Sequence, residues 1–249
     1  MNIKAFIPNF VTLLNLLCGS IAVVFVVNNH FTLAAIFVFL GIFFDFFDGL
    51  LARKLNVQSE LGIQLDSLAD MVTSGLVPGL IMYKLLELAT NTNGITITDD
   101  WSDSLYWSGV NVSVLPFLGL LITLSSAYRL ARFNIDEDQQ TYFKGLPTPA
   151  NALLVLSLPL ILEFQNNDLI NATILNPWFL VVLTLLSTYL LNSPIKLFAL
   201  KFKSYGFKTN AVRYIFLILS VVLLIVLQFA AIPLVILLYI LLSLFNTIN

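Results

Sequence analysis

The stretch Phe43–Val72, "FFDFFDGLLARKLNVQSELGIQLDSLADMV", sets four aspartates, Asp45, Asp48, Asp66 and Asp70, among phenylalanines and leucines. Carboxylates are costly at membrane depth, so a chain that keeps several there uses them. A helix advances about 100° per residue, which puts Asp45, Asp48, Gly49 and Ala52 on one stripe. Gly62, Asp66 and Asp70 form a second stripe on the next helix, beyond the polar turn "KLNVQSE". Across that turn the two acidic faces can meet, and Arg53, Lys54 and Glu60 bracket it, so the acids lie within a few helical turns of one membrane surface. Crowded carboxylates cannot all stay ionised unless a cation or protons offset the repulsion. With only oxygen ligands at hand, Mg²⁺ or Mn²⁺ are the natural fillers, and such ions keep positions open for water and phosphate. Small residues beside the acids leave room for a flat nucleotide or a diphosphate. The competing reading makes the same acids a cation pathway, or interhelical partners of Arg53, Arg129 and Arg132.

The rest of the composition agrees with a membrane setting. Over 249 residues, 59% are hydrophobic, 10% are charged and 21 are Phe, an excess no soluble domain of this length tolerates on its surface. A net charge of −2, with basic residues sorted by side and not gathered into a patch, argues against a nucleic-acid surface. One cysteine, Cys18, cannot make an internal disulfide and reads as a small packing residue. One histidine, His30, falls in the polar break "NNH", so a site built on Cys or His is excluded as well. The first apolar run is too long for a signal-peptide core and lacks a small-residue cleavage site, so it reads as a retained helix.

Windows of roughly 20 apolar residues, enough to cross the hydrocarbon, recur about eight times. They cover residues 8–28, 31–53, 62–87, 111–133, 149–165, 176–193, 211–230 and 232–248. The expected fold is an all-α integral membrane protein of about eight transmembrane helices in a single domain over residues 1–249, with helices at 6–193 and a further C-terminal helical pair at 211–248. Pro233 in "AAIPL" marks a tight hairpin between the last two windows. With both termini in the cytoplasm, every basic residue except Lys84 falls on the inside, while the outer segment "NTNGITITDDWSDSLYW" carries aspartates and no basic residue. Trp101, Trp107 and Trp178 read as interfacial anchors, and the basic connection "LNSPIKLFALKFKSYGFKTN" as a segment lying against anionic headgroups.

The run Asp45, Asp48-Gly49, Ala52-Arg53, Gly62, Asp66, Asp70 resembles the signature of the CDP-alcohol phosphatidyltransferase family at every defined position. The resemblance implies attack by an alcohol on the lipid-side phosphate of a CDP-linked lipid, with release of CMP. It implies that Asp45, Asp48, Asp66 and Asp70 share two divalent ions, Mg²⁺ or Mn²⁺, and that Asp70 is also the general base. It further implies that Gly49, Ala52, Arg53 and Gly62 line the CDP pocket, and that the protein is a homodimer. The residues fit that chemistry, because a hydroxyl is a poor nucleophile at neutral pH and a positioned carboxylate can take its proton.

"PNFVTLLNLLCG" (residues 8–19), "ADMVTSGLVPG" (69–79), "YRLARFNID" (128–136) and "FKGLPTPANA" (143–152) are similar to the phosphatidylserine synthase branch of that family. That branch implies CDP-diacylglycerol and L-serine as substrates; the alternative acceptors are glycerol 3-phosphate and inositol phosphate. Arg129 and Arg132, three apart on one helix face, read as contacts to a lipid phosphate or to the serine carboxylate, or else as side chains that snorkel to the headgroups. Asn9 and Thr12 either reach the nucleotide or simply cap a helix. Gly145, Pro147 and Pro149 shape a loop re-entering at the mouth of the site, or a plain turn. The absence of a transit peptide or soluble domain is the pattern expected of a prokaryotic inner membrane protein with its active site facing the cytoplasm. A cation-coupled transporter is the non-enzymatic alternative; it calls for acids near the midplane in two related halves, whereas these sit near one face in one half.

Overall fold

The computed structural model describes residues 3–90, 114–135, 142–165, 167–198 and 207–248. Its helices are α1 (Ile3–Val27), α2 (Phe31–Lys54), α3 (Glu60–Asp70), α4 (Val77–Ala89), α5 (Leu121–Ile135), α6 (Thr148–Phe164), α7 (Asp168–Ile174), α8 (Pro177–Asn192), α9 (Phe207–Leu227) and α10 (Ala231–Ile248). A π-helical turn, Met71–Leu76, joins α3 to α4, and a 3₁₀ turn, Leu115–Leu120, leads into α5. The protein is all-α and membrane-embedded. The single departure among the described residues is a small antiparallel ribbon, β1 (Tyr142–Lys144) with β2 (Lys196–Phe198), in register Phe143 to Leu197. Trp101, Trp107 and the segment 199–206 lie outside the described residues.

Each of the eight apolar windows holds a helix. By length and composition, four stretches qualify as membrane spans: Phe6–Val27, Phe31–Lys54, Glu60–Ala89 and Asn210–Leu244. The pair α7 and α8, bent by 62°, adds a fifth if taken as one span, and α6 is apolar but shorter. The stretch Asn210–Leu244 is no straight rod. Phe216 of α9 and Tyr239 of α10 bring their ring centroids to 5.6 Å, so the two helices fold back on each other. The turn sits earlier than the hairpin expected around Pro233. The chain reverses at Leu227–Ala230, where Gln228 adopts φ +49°, and Pro233 falls in the first turn of α10, where its missing N–H costs nothing. The Gln165 side chain fastens that turn: its Nε2 donates to the Leu227 carbonyl at 2.6 Å, and its Oε1 accepts from Ala230 N–H at 3.2 Å. Backbone groups freed at a turn need such partners.

Lipid offers no hydrophobic drive between helices, so close approach through small residues holds the bundle together. Ala22 of α1 and Ala34 and Ala35 of α2 are buried in the core beside Val26 and Val38. A Cβ on Gly119 would come within 2.5 Å of Tyr83 N, and one on Gly79 would strike the Thr123 hydroxyl, so α4 crosses the Leu115–Ile135 segment backbone to backbone. Thr123 in turn donates to the Gly75 carbonyl at 3.1 Å, satisfying an acceptor of the π turn. Asn167 and Asn176 cap α7 and α8, the latter backed by Pro177. Trp178, at the start of α8, is 74% exposed. Lys84, the basic residue expected outside, pairs with Glu87 at 2.9 Å.

Candidate active site

The start of α1, the end of α2, the start of α3 and the end of α5 gather at one end of the bundle around a cleft of about 540 Å³. That volume suits a nucleotide-sized ligand. Asp45, Asp48, Gly49, Ala52 and Arg53 line it from α2, and Gly62 and Asp66 from α3, so the two stripes do face each other. Ser59 makes this approach by capping α3: its Oγ accepts from Gly62 N–H at 3.1 Å. Asn9 and Thr12 of α1 stand on the wall, and Thr12, buried, donates its hydroxyl to the Pro8 carbonyl of its own helix at 3.1 Å.

At the floor, carboxylate oxygens of Asp45, Asp48 and Asp66 all lie within 4.8 Å of one another. Asp48 is 5% exposed, and its Oδ2 has no hydrogen-bond partner. No described Lys or Arg makes a direct ion pair with any of the four aspartates; of the arginines in the competing reading, only Arg129 comes within electrostatic reach of one, Asp70. Three oxygen donors around a shared point, one of them buried and unpartnered, fit a hard divalent cation. Asp70 stands beside this group, within electrostatic reach of Asp45 and Asp66, and accepts from Asn15 Nδ2 at 3.3 Å.

Gly49 is not a packing glycine. A Cβ there would meet only Arg53 Nη2, at 3.9 Å, so the space beside it belongs to the cleft. Arg53 turns back along its own helix and donates from Nε to the Gly49 carbonyl at 2.9 Å, which leaves its terminal nitrogens at the rim. The two arginines of α5 separate. Arg129 is buried, with Nε unpartnered, and lies within electrostatic reach of Asp70; Arg132 is exposed. Both line a small polar cavity with Lys144, Asn192 and Ser193. Gly145, Pro147 and Pro149 do not line the large cleft. Gly145, at φ +76°, donates to the Ile195 carbonyl, Leu146 N–H donates to the Leu190 carbonyl, and Pro149 begins α6, so this segment docks on the end of α8.

Two contributions escape a reading of the sequence. Asn134 and Ser67 exchange hydrogen bonds at 2.9 and 3.2 Å, tying α5 to the helix that carries Asp66. Thr73 donates to Asn15 Oδ1 at 2.8 Å. These partners are 67 and 58 residues apart, and no local pattern joins them.

Comparison with known proteins agrees with the geometry. The model of the CDP-alcohol phosphatidyltransferase family matches residues 5–189. A CDP-diacylglycerol–serine O-phosphatidyltransferase of Bacillus subtilis is 33% identical over 171 residues, covering 67% of this chain and 80% of that protein. The protein of the same name from Methanocaldococcus jannaschii is 31% identical over 166 residues, covering 67% of this chain and 65% of its own. A third, from Helicobacter pylori, is 30% identical over 152 residues, and there the match spans only 55% of the relative. With the motif, the acidic cleft and a family match over most of its length, the chain is a membrane-embedded transferase that belongs to the CDP-alcohol phosphatidyltransferase family.

Proposed function

We propose that the protein transfers the phosphatidyl group of CDP-diacylglycerol to the hydroxyl of L-serine, giving phosphatidylserine and CMP. The observation that carries this reading is the carboxylate cluster, Asp45, Asp48 and Asp66 within 4.8 Å, at the floor of a cleft held open at Gly49. The choice of serine rests on the names of the relatives and on the segments at residues 128–136 and 143–152.

In this reading Asp45, Asp48 and Asp66, joined by Asp70, hold Mg²⁺ or Mn²⁺, two ions in all. Ions held there would supply the positive charge that offsets the diphosphate. Gly49, Ala52, Arg53 and Gly62 seat the nucleotide, with Asn9 and Thr12 on the facing wall. Asp70 takes the proton of the serine hydroxyl as its oxygen bonds to the lipid-side phosphorus and the bond from phosphorus to the CMP oxygen breaks. Arg129, buried beside Asp70, grips the serine carboxylate or the lipid phosphate, while exposed Arg132 reaches the headgroups. Attack is direct: Ser59, the serine on the cleft wall, is engaged at the cap of α3, and no described Cys or His lines the cleft. The cleft opens to the cytoplasm, on the side where the basic residues gather.

The deciding experiment supplies CDP-diacylglycerol and serine to the detergent-purified protein with Mn²⁺ or Mg²⁺ and measures CMP. Serine-dependent release is expected, silenced by EDTA and restored by either ion. Release driven instead by glycerol 3-phosphate or inositol phosphate would move the protein to another branch, and no release with any acceptor would favour cation transport.

A further inference from the structure

A general base must present one oxygen to the acceptor hydroxyl while the rest of its carboxylate is held still. For Asp70 the hold comes from α1. Asn15, fully buried at 0% exposure, donates from Nδ2 to Asp70 Oδ1 at 3.3 Å. No described residue donates to Oδ2. The Asn15 amide is itself fixed. Thr73, 1% exposed, lies with its hydroxyl 2.8 Å from Asn15 Oδ1 and 3.2 Å from the Asn15 carbonyl, and its one proton goes to the nearer oxygen. That bond orients the amide so that its nitrogen, and not its oxygen, faces the carboxylate.

The surroundings are built for this node. Thr73 sits on the π turn that begins directly after Asp70, a distortion that recurs at functional sites in helices. Glycines of two helices close on it. A Cβ on Gly19 would strike the Thr73 hydroxyl, and one on Gly41 would come within 2.7 Å of Thr73 Cγ2 and 2.8 Å of Asn15 Oδ1. Helices α1 and α2 therefore press their backbones against a polar pair that neither the nucleotide cleft nor the carboxylate cluster contains.

We propose that Thr73 and Asn15 are positioning residues that act in series on Asp70: Thr73 fixes the Asn15 amide, and Asn15 holds Oδ1 so that Oδ2 receives the acceptor proton. This inference rests on the reading of Asp70 as the base, and its test separates the two.

The full-length protein would be assayed in detergent as Thr73→Val, Thr73→Ser, Asn15→Leu and Asp70→Asn, with kcat, the KM of each substrate and melting temperature measured for each. Thr73→Val keeps the shape and loses the hydroxyl; it and Asn15→Leu should lower kcat about 10- to 100-fold, the usual cost of removing a supporting hydrogen bond, with both KM values within about twofold. Thr73→Ser, which keeps the donor, should restore most of the rate. Equal losses in Val and Ser, or a change confined to KM, would reduce Thr73 to a packing role and overturn the proposal. Should Asn15→Leu fail to fold, the Thr73 pair decides alone. If Asp70→Asn is inactive while Thr73→Val keeps wild-type kcat, the relay is wrong while Asp70 stays essential to the site; if Asp70→Asn retains near-normal turnover, the base assignment itself falls.

Discussion

Gly49 and Asp48 carry the site's logic at the scale of single residues. Most glycines of this bundle are filled from outside, as at Gly119 against the Tyr83 backbone, whereas the space at Gly49 is open. A side chain there will not disturb packing but will occupy the cleft. Gly49→Leu is expected to fold with an unchanged melting temperature and to weaken CDP-diacylglycerol binding by at least about tenfold, a loss of about 1.4 kcal/mol, measurable by competition with CDP. Unchanged affinity would remove the nucleotide from this wall. The stripe Asp45, Asp48, Gly49, Ala52 was legible in the sequence because helical periodicity is local. Asn15 was not, because its partners Asp70 and Thr73 lie 55 and 58 residues away and a lone Asn in an apolar helix names no partner.

At the scale of elements, the instructive case is the connection between α9 and α10. Proline marked a break, but the break falls before it, where Gln165 of a different segment supplies both a donor and an acceptor to the turn at Leu227–Ala230. Gln165→Leu removes both bonds and leaves backbone groups of the turn without their side-chain partners. We expect it to lower stability by about 1 to 3 kcal/mol in a denaturant titration while leaving the KM for CDP-diacylglycerol unchanged, since the turn is remote from the cleft. Wild-type stability would mean that water or lipid headgroups already serve the turn. The π turn is a second feature of this kind. "MVTSGL" has no breaker that announces it; it forms where Gly75 gives its carbonyl to Thr123 and Thr73 turns toward α1.

For the whole molecule, the arrangement of acids at one end and basic residues on one side makes orientation testable. Cys18 is buried, so introduced cysteines report with little background. His30 precedes α2 and Gln58 follows it, and both are exposed. In oriented vesicles a membrane-impermeant maleimide should label Gln58→Cys only from the cytoplasmic side and His30→Cys only from the other. Labelling of both from one side would end the reading of α2 as a span.

The apolar windows and the acidic stripes were determined by the chain alone, because bilayer thickness and helical pitch act over neighbouring residues and composition records them. Which carboxylates converge, which amide steadies Asp70 and where the C-terminal hairpin turns were decided only in three dimensions. In lipid, helices find one another by close packing of small groups and by pairing of buried polar atoms, and these are matches between distant segments that neither segment encodes by itself.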